Sequence, residues 1–207
     1  PYLTRDVTIL LVDDGSVVDV FSHPDINKYL SHTSFHWLRH SKNRGPAAAR
    51  NTGLSWCYDN TVEIVILLDS DCIAENNIIF AHKKLHQDNP DVVCIGGSIQ
   101  GVGDSIWARI DGLMSWFTSI PGSDERYVLE PYHLPTTNLS LSLNDLPYSE
   151  EIFDPVLRTG EDVLFINKLR TDGGKVLFSP SPKICHQDRT TFSLFFAHQY
   201  RWGLHTY

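Results

Sequence analysis

Two apolar runs that stop abruptly on carboxylates constrain this chain most. Residues 62–68 read VEIVILL and end at Asp69; residues 7–12 read VTILLV and end at the pair Asp13–Asp14. A continuous apolar run of strand length suits a parallel strand covered on both faces, because a half-exposed strand would alternate with polar residues. Helical segments lie between such runs. Gly45–Pro46 followed by AAAR opens a helix over 46–58, since Pro fits the first helical position and Ala has the highest helix propensity. Residues 24–30 suit a short helix, 34–39 a second strand, 75–87 a helix and 92–99 a strand. That alternation predicts βαβ units, hence an α/β fold with a Rossmann-like, mostly parallel sheet and helices on both faces.

From about residue 101 the pattern mixes. Residues 104–119 predict an amphipathic helix with Trp107, Ile110, Met114 and Phe117 on one stripe. Residues 135–143 (PTTNLSLSL) alternate like a half-exposed strand. A helix over 160–172, strand pieces at 175–179 and 183–186, and a last helix over 191–204 complete the expectation. At 207 residues this is one domain, 1–207, in two halves meeting near residue 100.

A net charge of −8 argues against a protein that binds a nucleic-acid backbone. Cys57, Cys72, Cys94 and Cys185 lie far apart with no CxxC, which predicts buried thiols in a reducing compartment. No apolar run reaches the length of a membrane span, and PYLTRDV has no signal-peptide core. A strand that starts almost at once, and an aromatic end in HQYRWGLHTY, lead to the expectation of a longer parent protein.

The acidic tips carry the chemistry. In one parallel sheet the carboxyl ends lie on one edge, where ligands of open α/β sheets bind. Asp69 and Asp71 are two apart, so in extended backbone both side chains point the same way. Converging carboxylates repel unless a divalent cation lies between them and a ligand; Mg2+ and Mn2+ favour carboxylate together with phosphate oxygen. A solvated turn with Asp as helix N-cap explains the same spacing, and spacing alone does not choose. GVGDSI (101–106) lacks the third Gly of a dinucleotide fingerprint, and His82 and His86 lack the Glu of a zinc-protease helix, so these histidines read as a polar helix face.

VDDGS, GPAAARNTGL (45–54), LDSD and TGEDVLFINKLR (159–170) occur in that order. Together they resemble a family 2 glycosyltransferase of the GT-A fold, over nearly the whole chain. The resemblance implies a nucleotide-binding half (about 1–100) and an acceptor-binding half (about 101–207). Asp14 would accept a hydrogen bond from the base, commonly uracil, with Asp13 beside it. Arg44 and Gly45 would lie near the base, and Arg50 and Asn51 would support the pocket. Asp69 would sit near the ribose and metal, Asp71 would ligate Mn2+ or Mg2+, and His186 would complete that site. Asp162 matches the catalytic base, with Asn138, Glu161 and Trp202 on the acceptor side. The partners implied are a nucleotide-sugar donor, most readily a UDP-sugar, and a glycan, lipid or protein acceptor. The location implied is the cytoplasm, at the inner face of a membrane if segments outside this chain anchor it.

The residue types suit inverting transfer by one displacement. A leaving diphosphate needs its developing charge stabilised, and the acceptor hydroxyl needs a base. At a helix's first turn, Asp162 sits in a positive field that lowers its basicity, while burial near Glu161 raises it. Two departures stand out. The family's usual first strand, with its Pro-x-Tyr-Asn-like motif, is not in this sequence. Gln199–Tyr200–Arg201–Trp202 falls one residue short of the Gln-x-x-Arg-Trp of processive members, which favours single addition. An idle nucleotide-sugar or partner-binding module is the competing reading; a receiver-like domain phosphorylated on Asp69 has no use for Gly160–Glu161–Asp162.

Overall fold

The computed structural model describes residues 7–18, 20–129, 133–146, 149 and 151–205. Residues 1–6 and 206–207, on which part of the reading of the chain ends rested, lie outside that set. The chain forms two compact units, residues 1–61 with 149–158, and residues 62–148 with 159–207.

In the first unit, β1 (Ile9–Asp13) pairs in parallel with β2 (Phe35–Arg39), which sets Asp13 opposite Arg39. A 3-10 turn (Val20–Ser22) and the short helix α1 (Pro24–Asn27) connect them. Helix α2 (Pro46–Asp59) opens on Pro46 as its sequence predicts and buries Ala47, Ala48, Leu54 and Cys57. At the tip of β1, Gly15 has φ 73°, and a Cβ there would lie 2.5 Å from the Lys42 carbonyl carbon. Only glycine allows the loop after β2 to pack so closely on this turn.

The second unit is built on a six-stranded sheet. Its strands are β3 (Ile64–Leu68), β4 (Cys72–Ala74), β5 (Val92–Val102), β6 (Arg126–Tyr127), β7 (Asn138–Ser142) and β8 (Lys175–Gln187). The order is β3-β7-β5-β8-β4, with β6 added on β8. β5 and β8 are parallel, and β7 runs antiparallel to both β3 and β5, so β3, β5 and β8 share one direction. Helices α3 (Ile78–Asp88), α4 (Ile106–Trp116), α5 (Glu161–Thr171) and α6 (Phe192–His205) complete the unit. Ile95, Leu139, Leu141, Phe178 and Ile184 are fully buried at the centre.

Several expectations change. The acidic tips expected on one sheet edge belong to two sheets, β1 in the first unit and β3 in the second. β3 is an edge strand of its sheet and only partly buried. β4 was missed because three residues carry too little pattern to read. The strand pieces at 175–179 and 183–186 are one strand, β8, which passes Pro180 and Pro182 by a shift of register against β5. Prolines have no N–H for the ladder, so the strand bulges there.

β7 does alternate, but both faces are covered. Leu139 and Leu141 enter the apolar core, and Asn138 and Ser140 meet buried histidines of α3. His82 and His86 are therefore an interior pair, not a polar surface. Both bond Ser140 Oγ at 2.9 Å, and His82 Nε2 also lies 3.0 Å from Asn138 Oδ1. Helix α4 turns a different face inward than the expected stripe: Ala108, Asp111, Ser115 and Trp116 are buried, while Met114 and Phe117 are exposed. The cause is Asp111, whose Oδ2 accepts from the Arg189 backbone N–H at 3.1 Å and from its guanidinium at 3.2 Å.

Candidate active site

In the first unit the carboxylate pair at the tip of β1 organises its own loops. Asp13 is buried; its Oδ1 accepts from Ser16 N–H at 2.9 Å and its Oδ2 lies 3.1 Å from Arg39 Nε. Burial raises its pKa, but the Ser16 bonds and the Arg39 charge outweigh that and hold it below the usual carboxylate range. Asp14 is bound more heavily. It accepts from Arg44 N–H at 2.9 Å and Gly45 N–H at 2.7 Å, and its Oδ1 lies 2.6 Å from His40 Nδ1. Asp14 thus seats the turn that leads into α2, instead of standing free at the strand tip. Its pKa is lowered too: burial opposes the charge, and the His40, Arg44 and Gly45 bonds prevail.

The side chains of α2 divide. Arg44 is exposed and Gly45 buried. Arg50 lies over the Phe153 ring at 5.8 Å. Asn51 is buried, donating to Phe153 C=O at 2.6 Å and accepting from Phe153 N–H at 2.9 Å. Both amide ends hold the 149–158 segment through Phe153.

In the second unit, Asp69 to Cys72 form a turn closed by Cys72 N–H donating to Asp69 C=O at 3.3 Å. The backbone turns there, and the two carboxylates have different partners. Asp69 Oδ2 accepts from Thr137 Oγ1 at 2.9 Å. Asp71 is exposed, with Oδ2 3.3 Å from His186 Nε2. Pairing of β4 with β8 sets Cys72 opposite His186. Among the described residues, Asp71, Cys72 and His186 form a group able to hold a metal ion, their ligand atoms within 4.8 Å of one another. Asp69, expected in the metal set, is not in that group.

His186 is prepared for such a role from behind. It is buried, and its Nδ1 lies 2.8 Å from Asp188 Oδ1. That oxygen also accepts from Trp116 Nε1–H at 3.0 Å, and the Trp116 ring meets the imidazole edge-on at 4.7 Å. A carboxylate on Nδ1 keeps that nitrogen protonated and leaves Nε2 for a ligand. Burial disfavours the imidazolium, yet Asp188 and Asp71 hold its pKa up to about 9. The His186 bond in turn lowers the Asp71 pKa. Carboxylate and imidazole suit a divalent ion such as Mn2+, whereas burial and the neighbouring Asp71 and Asp69 charges push the Cys72 thiol pKa well up and keep it protonated, a poor ligand.

Asp162 lies at the first turn of α5, after Gly160 in the left-handed conformation. Its Oδ1 accepts from Val163 N–H at 2.8 Å, and its Oδ2 lies 3.4 Å from His133 Nε2. Glu161 is buried and Asp162 partly exposed, so the two neighbours separate as adjacent helical residues do. Trp202 of α6 meets the His133 ring edge-on at 5.8 Å. Asn138, expected as a sugar contact, is fully buried: Nδ2 donates to Ser98 C=O at 2.9 Å and Pro182 C=O at 3.0 Å. It fills the register shift between β5 and β8, where carbonyls lack ladder partners, and that need explains its burial.

Sequence reasoning missed Cys72, Asp188 and His133. The string Cys185–His186–Gln187–Asp188 held a signal for Asp188, a carboxylate two residues after a candidate ligand. Nothing local marked His133. No helix among the described residues is long and apolar enough to cross a membrane.

Comparison with known proteins gives consistent findings. The family model described as Glycosyl transferase family 2 matches residues 3–153. A pre-mycofactocin glycosyltransferase of Mycobacterium tuberculosis is 29% identical over 195 residues, which is 90% of this chain and 38% of that protein. An uncharacterized glycosyltransferase of Rickettsia conorii is 29% identical over 174 residues, 76% of this chain and 24% of that protein. The chain thus spans well under half the length of these curated relatives. Among solved structures, GalNAc-T7 with UDP, GalNAc and Mn2+ aligns with a TM-score of 0.61 at 18% identity, covering 89% of this chain and 38% of that one. The mannosyltransferase PcManGT from Pyrobaculum calidifontis, with GDP-Man and Mn2+, aligns at 0.59 and 14% identity, covering 96% and 52%. At such identities the likeness speaks for the fold.

Proposed function

The chain belongs to glycosyl transferase family 2, and from that premise we propose that it moves a sugar from a nucleotide-sugar donor to an acceptor hydroxyl by a single, inverting, metal-assisted displacement. The observation that carries the reading is the pair Asp71 and His186, 3.3 Å apart, with Asp188 fixing the imidazole behind it. Asp71 and His186 would hold the ion, Mn2+ or Mg2+, while the neighbouring Cys72 thiol stays protonated. The bound ion supplies charge stabilisation to the departing diphosphate. Support comes from neighbours of the same fold solved with Mn2+, together with UDP in one and GDP-Man in another.

The remaining work falls to the chain's own residues. Asp162 takes the proton of the acceptor hydroxyl as that oxygen attacks the anomeric carbon from the face opposite the diphosphate, which inverts the centre. Being partly exposed, Asp162 is open to an acceptor, whereas Glu161 is buried. In the first unit, the turn seated by Asp14 leaves Arg44 exposed. Asp69, held by Thr137, serves the ribose. A UDP-sugar is the donor proposed.

The test is a donor screen. The full-length protein is incubated with Mn2+ and a panel of UDP-, GDP- and dTDP-sugars, with and without mixed glycan and lipid acceptors. Expected is nucleoside diphosphate release from one donor class, with transfer lowered about 10²- to 10⁴-fold by Asp162→Asn. Release that is indifferent to Mn2+, or transfer unchanged in Asp162→Asn, overturns the mechanism.

A further inference from the structure

We infer that His133 is a positioning residue for Asp162, seated for that task by Trp202. The inference rests on the reading of Asp162 as the base. A base is effective only when its carboxylate is held in one direction relative to the proton it takes. One Asp162 oxygen is tied to its own helix turn through Val163 N–H. The other, Oδ2, faces His133 Nε2 at 3.4 Å, with the two side chains 14% and 22% exposed. An Nε2–H directed at Oδ2 across that distance adds an electrostatic restraint on the carboxylate's turning. No proton moves between the two groups: the acceptor's proton ends on Asp162 and His133 keeps its own.

The imidazole is itself held from two directions. Its backbone C=O accepts from Thr118 Oγ1 at 2.8 Å, just beyond α4. Its ring meets Trp202 edge-on. Trp202 packs on His198 at 4.6 Å between ring centres, and His198 Nδ1 lies 3.4 Å from Asp111 Oδ1. Asp111 is fully buried and anchored by Arg189. This continuous path of packed side chains ties the last turns of α6 to the orientation of Asp162. It also gives Trp202 a role that does not require it to touch a sugar.

Two variants separate donor from ring. His133→Phe keeps a flat ring against Trp202 but has no N–H; His133→Gln keeps an N–H but loses the ring. The rate is read as nucleoside diphosphate released from a UDP-sugar to water, which needs no knowledge of the natural acceptor. Expected is a kcat between about ten- and a hundredfold lower in His133→Phe, with donor KM unchanged, and substantial recovery in His133→Gln. In long-range 1H–15N spectra of the full protein, His133 should read as the Nε2–H form, and its Nε2 signal should move in Asp162→Asn. Wild-type kcat in His133→Phe with a slow Asp162→Asn overturns the inference and leaves the base standing. Wild-type rate in Asp162→Asn removes the base, and the inference with it. Where release to water is too slow to follow, the spectra decide alone, and an Nε2 signal indifferent to Asp162→Asn overturns the inference.

Discussion

His186 Nδ1 and Asp188 Oδ1, two residues apart where β8 ends, lie 2.8 Å from each other in the interior of the second unit. The bond fixes which imidazole nitrogen faces Asp71. Asp188→Asn replaces the anion by an amide that no longer enforces that form. Mn2+ affinity should fall about 10- to 100-fold while the fold is kept, measured by calorimetric titration of the ion alone. Affinity equal to wild type would show that Asp188 is only a packing group.

The approach of Asp188 depends on a gap in α4. A Cβ on Gly112 would lie 2.5 Å from Asp188 Oδ2. Gly112→Ala therefore forces the buried carboxylate aside, and should cost about 1–3 kcal/mol in urea unfolding together with a loss of Mn2+ affinity. A stable variant with normal affinity would mean that Asp188 has room to move.

Asn138 should report on stability, not on sugar binding. Asn138→Ala removes one interior hydrogen bond each from the Ser98 carbonyl, the Pro182 carbonyl and His82 Nε2. A loss of about 2–4 kcal/mol is expected in urea unfolding, with donor and acceptor KM unchanged in the folded fraction. A raised acceptor KM at unchanged stability would restore the sugar contact read from the sequence.

Acid should weaken the same region. Burial drives the His82 pKa down to about 4, against an ordinary value of 6.5. Because the folded pKa lies below the unfolded one, the unfolded chain binds the proton first. Stability is full above about pH 6.5 and declines as the pH falls towards 4, by on the order of 3 kcal/mol. Asp111, held at about 2 by its Arg189 and His198 contacts against the opposing effect of burial, contributes its own loss only below about pH 4. Urea unfolding at pH 7, 5.5 and 4.5 reads the His82 effect, and a slope unchanged in His82→Gln would assign it elsewhere.

What was legible in the sequence follows from the range of the forces involved. Pro46 at the start of α2, the apolar runs of β1 and β3 and the acidic first turn of α5 are local features, and each appears where its pattern placed it. Partners far along the chain were not legible. His82 reads as a surface histidine until Asn138 and Ser140, more than fifty residues away, are brought against it. The stripe on α4 failed for the same reason: Asp111 is drawn inward by Arg189 and His198, a pull that apolar periodicity does not record. Among the site residues, His186 was placed by resemblance, yet its orientation comes from Asp188, itself held by Trp116. The same-side placement of Asp69 and Asp71 assumed extended backbone, and the chain turns there instead, closed by Cys72 N–H on Asp69 C=O.

The most direct measurement is a calorimetric titration of the protein with UDP, GDP and dTDP, each with and without Mn2+, repeated on Asp71→Ala. Metal-assisted nucleotide-sugar chemistry predicts that one nucleotide binds tightly only with Mn2+ and that Asp71→Ala loses this binding. Equal affinity with and without the ion, or full binding in Asp71→Ala, would contradict it.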